Sequence, residues 1–349
     1  VADWISSIRG KMTVLPEKSV LAIVPNWLGD VAMCTPALRA MHRRFGAFTV
    51  AGVPAACDLL EGLPWFRRIV PFPAHAPLSA LVRTAIKLRP LARDLTVVFP
   101  HSFRAAMLAR LTGSRRRVGY ACNGRTILLT RTVAFPREEG KRVPVYTAEE
   151  YLRLVAKIGC EDDKCGLELH ADPVEARRIR SLFQGGGPRI GIAPGAAFGP
   201  SKRWPVERFA AVADALYNDV SAECVLLAGP GEDALRRQFL EAAKNPVVQI
   251  EGHGSVGRLK AAISQLDLLI GNDSGPRHLA IAFHVPVLCI MGPTSPLYTN
   301  SPYERGRVVR VDVDCGPCQK PACETDHRCM TRIAVETVVE TAKDILALR

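Results

Sequence analysis

The chain has 349 residues, enough for two domains of ordinary size, and its hydrophobic content of 48% excludes a largely disordered protein. No uninterrupted run of about 18 apolar residues occurs, so no transmembrane helix is predicted. The formal net charge of +12 is carried by residues 1–165, which hold 25 Lys and Arg against 13 Asp and Glu, whereas the remainder holds 21 of each. This one-sided charge predicts an anionic partner, such as nucleic acid, an anionic membrane or an acidic substrate; a simple solubility bias is the alternative.

The first half of the chain is predicted to form one α/β domain. Residues 1–17 are expected to be a loosely held leader without the pattern of a signal peptide, so a cytoplasmic location is the default expectation. Strands then alternate with helices, which predicts parallel βαβ units. The predicted strands are Ser19–Pro25, Phe48–Val53, Arg68–Phe72, Leu95–Phe99 and Arg117–Tyr120, and the predicted helices are Val31–Arg44, Ser102–Leu111 and Tyr146–Ile158. The Gly-Pro run at 184–188 marks the predicted boundary, so this domain spans residues 18–184.

The second half repeats the alternation and predicts a second domain over residues 185–333. Its predicted strands are Arg189–Ala193, Cys224–Ala228, Val247–Glu251, Leu266–Ile270, Val287–Met291 and Val308–Val313. Its predicted helices are Val206–Tyr217, Glu232–Ala243, Val256–Gln265 and Arg277–Ala282, and Ala334–Leu348 forms a terminal helix within segment 334–349. The fold class is therefore α/β, with two Rossmann-like, doubly wound parallel-sheet domains.

Two strand-loop-helix turns carry the pattern of a phosphate site. In the second domain, the apolar run to Ile270 breaks into small polar residues at Asp273–Gly275, and a helix follows. The free N–H groups and positive end of a helix N-terminus bind anions, and Gly275 permits a close approach. Asn26–Asp30 repeats this arrangement near the start of the chain. Two such sites in two domains predict two substrates that meet in a cleft.

Eleven cysteines, many in apolar or helical settings, are typical of reduced thiols in a reducing compartment. The strongest cluster, with His327 nearby, consists of Cys315, Cys318, Cys323 and Cys329. Its spacing permits a structural zinc site, and reduced thiols or a labile disulfide are the alternatives. No catalytic part is assigned to it.

Several motifs together bring a family into view. They are Asn26–Asp30, Pro100–Arg104, Gly195–Pro205, Asn272–His278 and Met291–Pro296. From about Ser19 onward the chain resembles glycosyltransferase family 9, the ADP-heptose:lipopolysaccharide heptosyltransferases, and within it the heptosyltransferase II branch. The resemblance implies the GT-B architecture, in which two Rossmann-like domains face each other across a cleft.

The resemblance also implies roles for individual residues. Asp30 is the expected general base for the acceptor hydroxyl, with helix capping as its alternative role, and the helix dipole is expected to keep it ionised and limit its basicity. Lys202 is expected to stabilise the departing diphosphate. The expected donor-binding residues are Gly195, Lys202, Arg203, Glu232, Asp273, Ser274, Gly275 and His278. The expected acceptor-binding residues are Gly29, Ser102, Arg104, Arg117 and Arg125.

The function implied by the resemblance is inverting transfer of heptose from ADP-heptose to the inner-core heptose of lipopolysaccharide. No cofactor is required in this scheme, because a cationic side chain and a helix terminus take the place of a divalent ion. The acidic inner core would explain the basic first half. A family 9 transferase with another donor or acceptor, as in heptosyltransferase I, is the alternative within the class. A basic RNA-binding protein with a zinc module is the alternative outside it, disfavoured because aromatic residues make up only 6% of the chain and form no basic-aromatic platform.

One helical pattern bears on membrane contact. Residues 78–89 place an apolar stripe beside Arg83, Lys87 and Arg89; the stripe consists of Leu78, Leu81, Val82, Ala85 and Ile86. Such a stripe can touch the cytoplasmic face of the inner membrane, and transient peripheral association is the expectation that goes with the acceptor. A crossover helix that faces the core is the preferred interpretation of the stripe itself.

Overall fold

The chain forms two parallel β-sheets, each covered by helices, in a computed structural model that describes residues 19–73, 77–252 and 254–348. The predicted leader lies outside the described residues. The strands are β1 Val20–Ile23, β2 Phe48–Gly52, β3 Phe66–Pro71, β4 Leu95–Val98, β5 Arg116–Tyr120, β6 Arg131–Val133, β7 Arg137–Glu138, β8 Lys141–Arg142, β9 Arg189–Ala193, β10 Glu223–Leu226, β11 Leu268–Asn272, β12 Val287–Ile290 and β13 Gly306–Val309. The helices are α1 Leu28–Phe45, α2 Pro54–Leu60, α3 Leu78–Leu88, α4 Phe103–Leu111, α5 Thr147–Ala156, α6 Pro173–Arg180, α7 Val206–Val220, α8 Asp233–Ala242, α9 Val256–Ile263, α10 Gly275–Ala282, α11 Arg328–Thr331 and α12 Val335–Ala347.

Both large sheets are doubly wound. The first has the strand order β3-β2-β1-β4-β5-β6 and the second has the order β10-β9-β11-β12-β13, with every pairing parallel. The strand order reverses between β1 and β4 in the first sheet and between β9 and β11 in the second. In such sheets, ligands bind at the carboxyl ends of the strands beside the reversal. The predicted pair of doubly wound parallel sheets is confirmed.

The two sheets come together through helices. Helix α1 packs on α5 and also on α10 of the second sheet, and α2 meets α9. A buried lysine joins the second pair: Lys260 Nζ of α9 donates to the carbonyls of Leu59 at 3.2 Å and Glu61 at 2.9 Å, near the carboxyl end of α2. A cation stabilises the negative end of a helix, so this contact stabilises the packing of α9 on α2.

Most predicted elements are present, with shifted ends. The strand predicted at Val247–Glu251 is wrong, because only Val248 pairs, in a single bridge to Val225. Its apolar residues resemble a strand, yet Pro246 next to it has no N–H with which to extend a ladder. The last strand ends at Val309 rather than Val313. In the ranges that the structure describes, no helix is long and apolar enough to cross a membrane.

Candidate active site

Four loops meet where the carboxyl edges of the two sheets face each other. Those after β1 and β4 flank the reversal of the first sheet, and those after β9 and β11 flank the reversal of the second. They carry Asp30, His101, Lys202 and Asp273, respectively. The topology therefore brings together residues that are up to about 240 positions apart in sequence.

Asp30 lies in the first turn of α1 and is largely buried. Burial raises its pKa from 3.8 to about 6, and the positive charges of His101 and Lys202 partly oppose this effect. The expectation that the helix dipole would limit its basicity is therefore wrong, because desolvation outweighs the favourable charges. The carboxylate remains mostly ionised at neutral pH, yet it binds a proton more readily than an exposed aspartate does.

Lys202 ends a short 3₁₀ turn after β9, and its ammonium group is held in place by the second sheet. Its Nζ donates to Asp273 Oδ2 at 2.7 Å and to the Asp273 carbonyl at 2.9 Å. The ring of Phe198 lies 5.2 Å from the same nitrogen. The Lys202 side chain is only 12% exposed. A lysine tethered at its charged end places a fixed positive charge in the cleft.

Asp273 is the centre of a buried ionic network. Its Oδ1 accepts from Arg277 Nη1 at 2.8 Å, and its Oδ2 also accepts from the Thr294 hydroxyl at 2.9 Å. Arg277 in turn forms a two-pronged contact with Glu304, at 2.8 and 2.6 Å. The cations beside Asp273 hold its pKa well below the usual range. We conclude that its carboxylate orients Lys202 in this structure, since a fixed anion would repel a diphosphate.

The beginning of α10 holds two buried polar atoms without partners among the described residues: Ser274 Oγ and His278 Nδ1. Such atoms are nearly always hydrogen-bonded in folded proteins, so these two atoms are available to bind a polar ligand. Burial lowers the pKa of His278 to about 3, so its imidazole is neutral. A Cβ on Gly29 would lie 2.9 Å from His278 Cδ2 and 3.4 Å from Gly275 Cα. The positive ends of α1 and α10 therefore meet across the cleft.

Gly195 and Glu232, both expected at the donor site, lie against each other. A Cβ on Gly195 would collide with Glu232 Oε1, and Glu232 Oε2 accepts from the Gly229 N–H at 2.7 Å. Arg203 is exposed and points back to the Ala196 carbonyl, with Nη2 3.5 Å away. The structure thus brings Gly195 and Glu232 to one place beside β9, while Arg203 contacts its own loop.

The loop that carries Lys202 is held by residues that the sequence analysis did not single out. The Asn272 side chain accepts from the Trp204 N–H at 3.1 Å and donates to the Pro194 carbonyl at 2.7 Å. Asn272 is buried, so both ends of this loop are fixed to the end of β11. Asn272 belongs to the Asn272–His278 motif, so the sequence did draw attention to it, but the bridge that it forms depends on tertiary contacts.

The cysteine-rich segment, residues 315–329, packs against the loop that carries Lys202. The buried Ser201 donates from N to the Pro321 carbonyl at 3.1 Å and from Oγ to the Lys320 carbonyl at 2.6 Å. His327 Nε2 lies 2.6 Å from the Ser201 carbonyl. Gly199 has φ +154°, and a Cβ there would collide with the Pro321 carbonyl.

The structure does not support the zinc site at Cys315, Cys318, Cys323 and Cys329. No group of three or more His, Cys, Asp or Glu residues in the described ranges is arranged to hold a metal ion, and all four cysteines are free thiols. His327, the nearest nitrogen ligand in sequence, instead contacts the Ser201 carbonyl. Permissive spacing alone did not produce a coordination site.

A second charged group lies on the first sheet's side of the cleft. His101 Nε2 is 2.9 Å from Glu150 Oε1, and Arg142 Nη2 is 2.6 Å from the other oxygen of this buried carboxylate. The His101 ring meets the rings of Tyr120 and Phe135 edge-on, with centroids 5.7 and 5.2 Å away. The imidazole next to Asp30 is therefore fixed in orientation. His101 belongs to the Pro100–Arg104 motif, whereas nothing in the sequence indicated a role for Glu150.

The expected acceptor residues divide into two groups. Ser102 caps α4 by accepting from the Ala105 N–H at 3.2 Å, and Arg104 in the first turn of α4 is half-buried at the carboxyl edge near the cleft. Arg125 is fully buried and donates to the Tyr120 and Pro100 carbonyls.

Arg117 lies near the amino end of β5, on the opposite edge of the sheet from Asp30, and its Nε donates to the Leu128 carbonyl at 2.8 Å. The Arg117 guanidinium group is therefore occupied at the edge of the sheet opposite the cleft, whereas Arg125 is buried against the backbone of the loop after β4, and acceptor binding by either arginine stays a prediction.

Comparison with known proteins identifies the family. Residues 82–328 match the model of glycosyltransferase family 9 (heptosyltransferase). Lipopolysaccharide heptosyltransferase 2 of Escherichia coli is 27% identical over 94% of this chain and 98% of its own length. Lipooligosaccharide heptosyltransferase 2 of Campylobacter jejuni is 27% identical over 93% and 97%, respectively.

Solved structures share the fold. A family 9 glycosyltransferase from Veillonella parvula superposes with a TM-score of 0.84 at 22% identity, over 95% of this chain and 98% of its own. E. coli ADP-heptose lipopolysaccharide heptosyltransferase II gives 0.79 at 23% identity, over 95% and 99%. The expected GT-B architecture is confirmed. The chain belongs to glycosyltransferase family 9, the heptosyltransferases.

Proposed function

We propose that this chain is an inverting heptosyltransferase that moves heptose from ADP-heptose to the inner-core heptose of lipopolysaccharide. The observation that carries the proposal is the face-to-face arrangement of a largely buried carboxylate, Asp30, and a tethered cation, Lys202. Beside them lie Ser274 Oγ and His278 Nδ1, which have no hydrogen-bond partner among the residues that the structure describes. The printed names of the relatives, lipopolysaccharide and lipooligosaccharide heptosyltransferase 2, support the same reaction.

The second sheet supplies the donor site. The diphosphate of the donor would lie at the start of α10, where it meets free N–H groups, the Ser274 hydroxyl and the fixed ammonium group of Lys202. As the glycosidic bond to the diphosphate breaks, negative charge grows on the leaving oxygen, and Lys202 stabilises it without having to move. Glu232 beside Gly195 is placed to accept hydrogen bonds from the ribose hydroxyls. The scheme uses only the chain's own charges.

The first sheet supplies the base and the acceptor site. Asp30 takes the proton from the acceptor hydroxyl as that oxygen attacks the anomeric carbon from the face opposite the diphosphate, which inverts the configuration. Its pKa of about 6 suits a base that operates near neutral pH. Arg104, Ser102 and the backbone at Gly29 border the space beside it, and the Arg104 guanidinium suits the carboxylates and phosphates of an inner core.

We also propose a cytoplasmic location with transient contact to the inner membrane, because the acceptor is anchored in lipid. A heptosyltransferase I-like specificity, with an earlier acceptor, is the alternative for the same site.

The test is transfer from ADP-heptose to lipopolysaccharides truncated before and after the first inner-core heptose. We expect transfer only to the acceptor that already carries a heptose. Asp30→Ala should lower the rate by about 10²–10⁴-fold while the enzyme still binds donor, and Lys202→Ala should weaken donor use as well. Transfer to the heptose-free acceptor would support the alternative, and a near-normal rate in the Asp30 variant would remove the base.

A further inference from the structure

Helix α3 has two apolar faces, and only one of them is covered. The covered face packs on the first sheet and consists of Leu81, Ala85 and Leu88. The other consists of Leu78, Val82 and Ile86, which are 58%, 39% and 64% exposed. The spacing of four residues places these three side chains in one row along the helix. The stripe noted in the sequence is therefore split: part of it faces the core as preferred, and part faces outward.

Neighbouring elements carry further exposed apolar side chains. Helix α3 packs on α4, and α4 packs on the 3₁₀ turn at Arg125–Leu128. Phe103 of α4 is 44% exposed and Ile127 of the turn is 82% exposed. We call Leu78, Val82, Ile86, Phe103 and Ile127 the outer apolar face. Clustered exposed apolar side chains on a folded chain are typical of a protein or membrane contact.

The charge around this face is strongly one-sided. Residues 62–137, which contain the whole face, hold fourteen Lys and Arg and a single acidic residue, Asp94. The excess within this segment thus accounts for the positive charge of the entire chain. Exposed cations flank the apolar row on α3 and the end of α4; they are Arg83, Lys87, Arg89, Arg110 and Arg115.

We propose that the outer apolar face docks on an anionic lipid bilayer. Aliphatic side chains in a row enter the boundary between head groups and acyl chains, and the cations beside them bind anionic head groups. A symmetric contact between two copies of this face would set two strongly positive surfaces against each other. Nucleic acid would offer no apolar surface for the aliphatic row, which also lacks the aromatic rings on which bases stack.

The position of the face connects it with the active site. Helices α3 and α4 begin after β3 and β4, so Leu78 and Phe103 lie at the carboxyl edge of the first sheet, the edge that carries Asp30. A chain docked by this face would hold the acceptor side of the cleft at the bilayer surface. This connection rests on the proposed lipid-anchored acceptor, whereas the docking itself does not.

The test is sedimentation of the full chain with vesicles of phosphatidylcholine alone and of phosphatidylcholine with phosphatidylglycerol. We expect binding to the anionic vesicles only, weakened by salt. The triple variant Leu78→Ser, Val82→Ser, Ile86→Ser should bind about tenfold more weakly, and so should Arg83→Gln combined with Lys87→Gln. Val174→Ser, at a 65% exposed position on α6, and Arg332→Gln, at an exposed position beyond α11, are the matched controls and should bind as the wild type does.

Several results would overturn the proposal. They are unchanged binding by the triple variant, equal binding to neutral vesicles, and a wild-type dimer in light scattering that the triple variant loses. Transfer to a detergent-solubilised acceptor should be unchanged in the triple variant, while transfer to acceptor embedded in anionic vesicles should fall. If the chain binds vesicles in this way but transfers no heptose, the proposed function fails and the docking surface stands.

Discussion

Replacing Asp30, the proposed base, should raise the free energy of unfolding and at the same time abolish activity. Burial raises the Asp30 pKa from 3.8 to about 6, so the folded state favours the neutral carboxyl group. The difference of about two in pKa, at about 1.4 kcal/mol each, corresponds to about 3 kcal/mol. A folded state that holds the proton more tightly than the unfolded state loses stability as the pH rises from about 4 to about 6, and the loss is complete at pH 7.

We therefore expect Asp30→Asn to increase the free energy of unfolding by up to about 3 kcal/mol at pH 7 and by little at pH 4. Urea denaturation at both pH values measures it, and Asp58→Asn, which replaces an exposed carboxylate on α2, should change little. In the same pH range, wild-type kcat/KM should fall below pH about 6, as the base is protonated. An equal gain at both pH values, or none at pH 7, would refute the argument that burial sets the pKa of this carboxylate.

Three further predictions concern other residues of the candidate active site. Asp273→Asn should raise the KM for the donor and destabilise the protein by about 3 kcal/mol, because it leaves the largely buried Lys202 side chain without its counter-ion. Steady-state kinetics and denaturation measure the two effects. Gly195→Ala should weaken donor binding at least tenfold in titration calorimetry, because the added methyl displaces Glu232. His101→Asn should shift the acidic limb of the kcat/KM profile to higher pH, because a positive charge that lowers the pKa of the base is lost.

Each of these has an outcome that would contradict it. An Asp273 variant with unchanged donor KM would mean that Lys202 needs no tether. Normal donor binding by the Gly195 variant would show that Glu232 moves aside freely. For His101, a fall in rate that is equal at every pH would indicate a structural role alone, and His170→Asn, at an exposed position, is the control that should leave the profile unchanged.

The sequence predicted the site best where a strand ends in small polar residues. The turns after β1 and β11 were recognised because apolar runs break there into Asn26–Asp30 and Asp273–Gly275, and topology alone then fixes their neighbours. The direction of the Asp30 pKa shift was missed because burial depends on how the two sheets face each other. The position of Asp30 near the start of a helix can be predicted from the sequence, but its desolvation by residues far away in the chain cannot.

The contacts of Arg117 and Arg125 could not be predicted from the sequence. Arg117 and Arg125 were assigned to an anionic acceptor on their charge, yet a guanidinium group satisfies backbone carbonyls equally well, and only tertiary contacts decide between the two uses. The same limit explains why Glu150 was missed, since it meets His101 from α5, about 50 positions away along the chain.

The hydrogen bonds between Ser201 and the cysteine-rich segment determine which sequence changes this segment can tolerate. Both hydrogen bonds that Ser201 donates end on main-chain oxygens, those of Lys320 and Pro321, which any amino acid would supply. Substitutions of the cysteines should therefore leave catalysis intact. Inserting or deleting one residue between them, by contrast, would move these main-chain oxygens and change the position of the neighbouring Lys202. In this stretch, the length and path of the chain should therefore matter more to the site than the chemistry of its side chains.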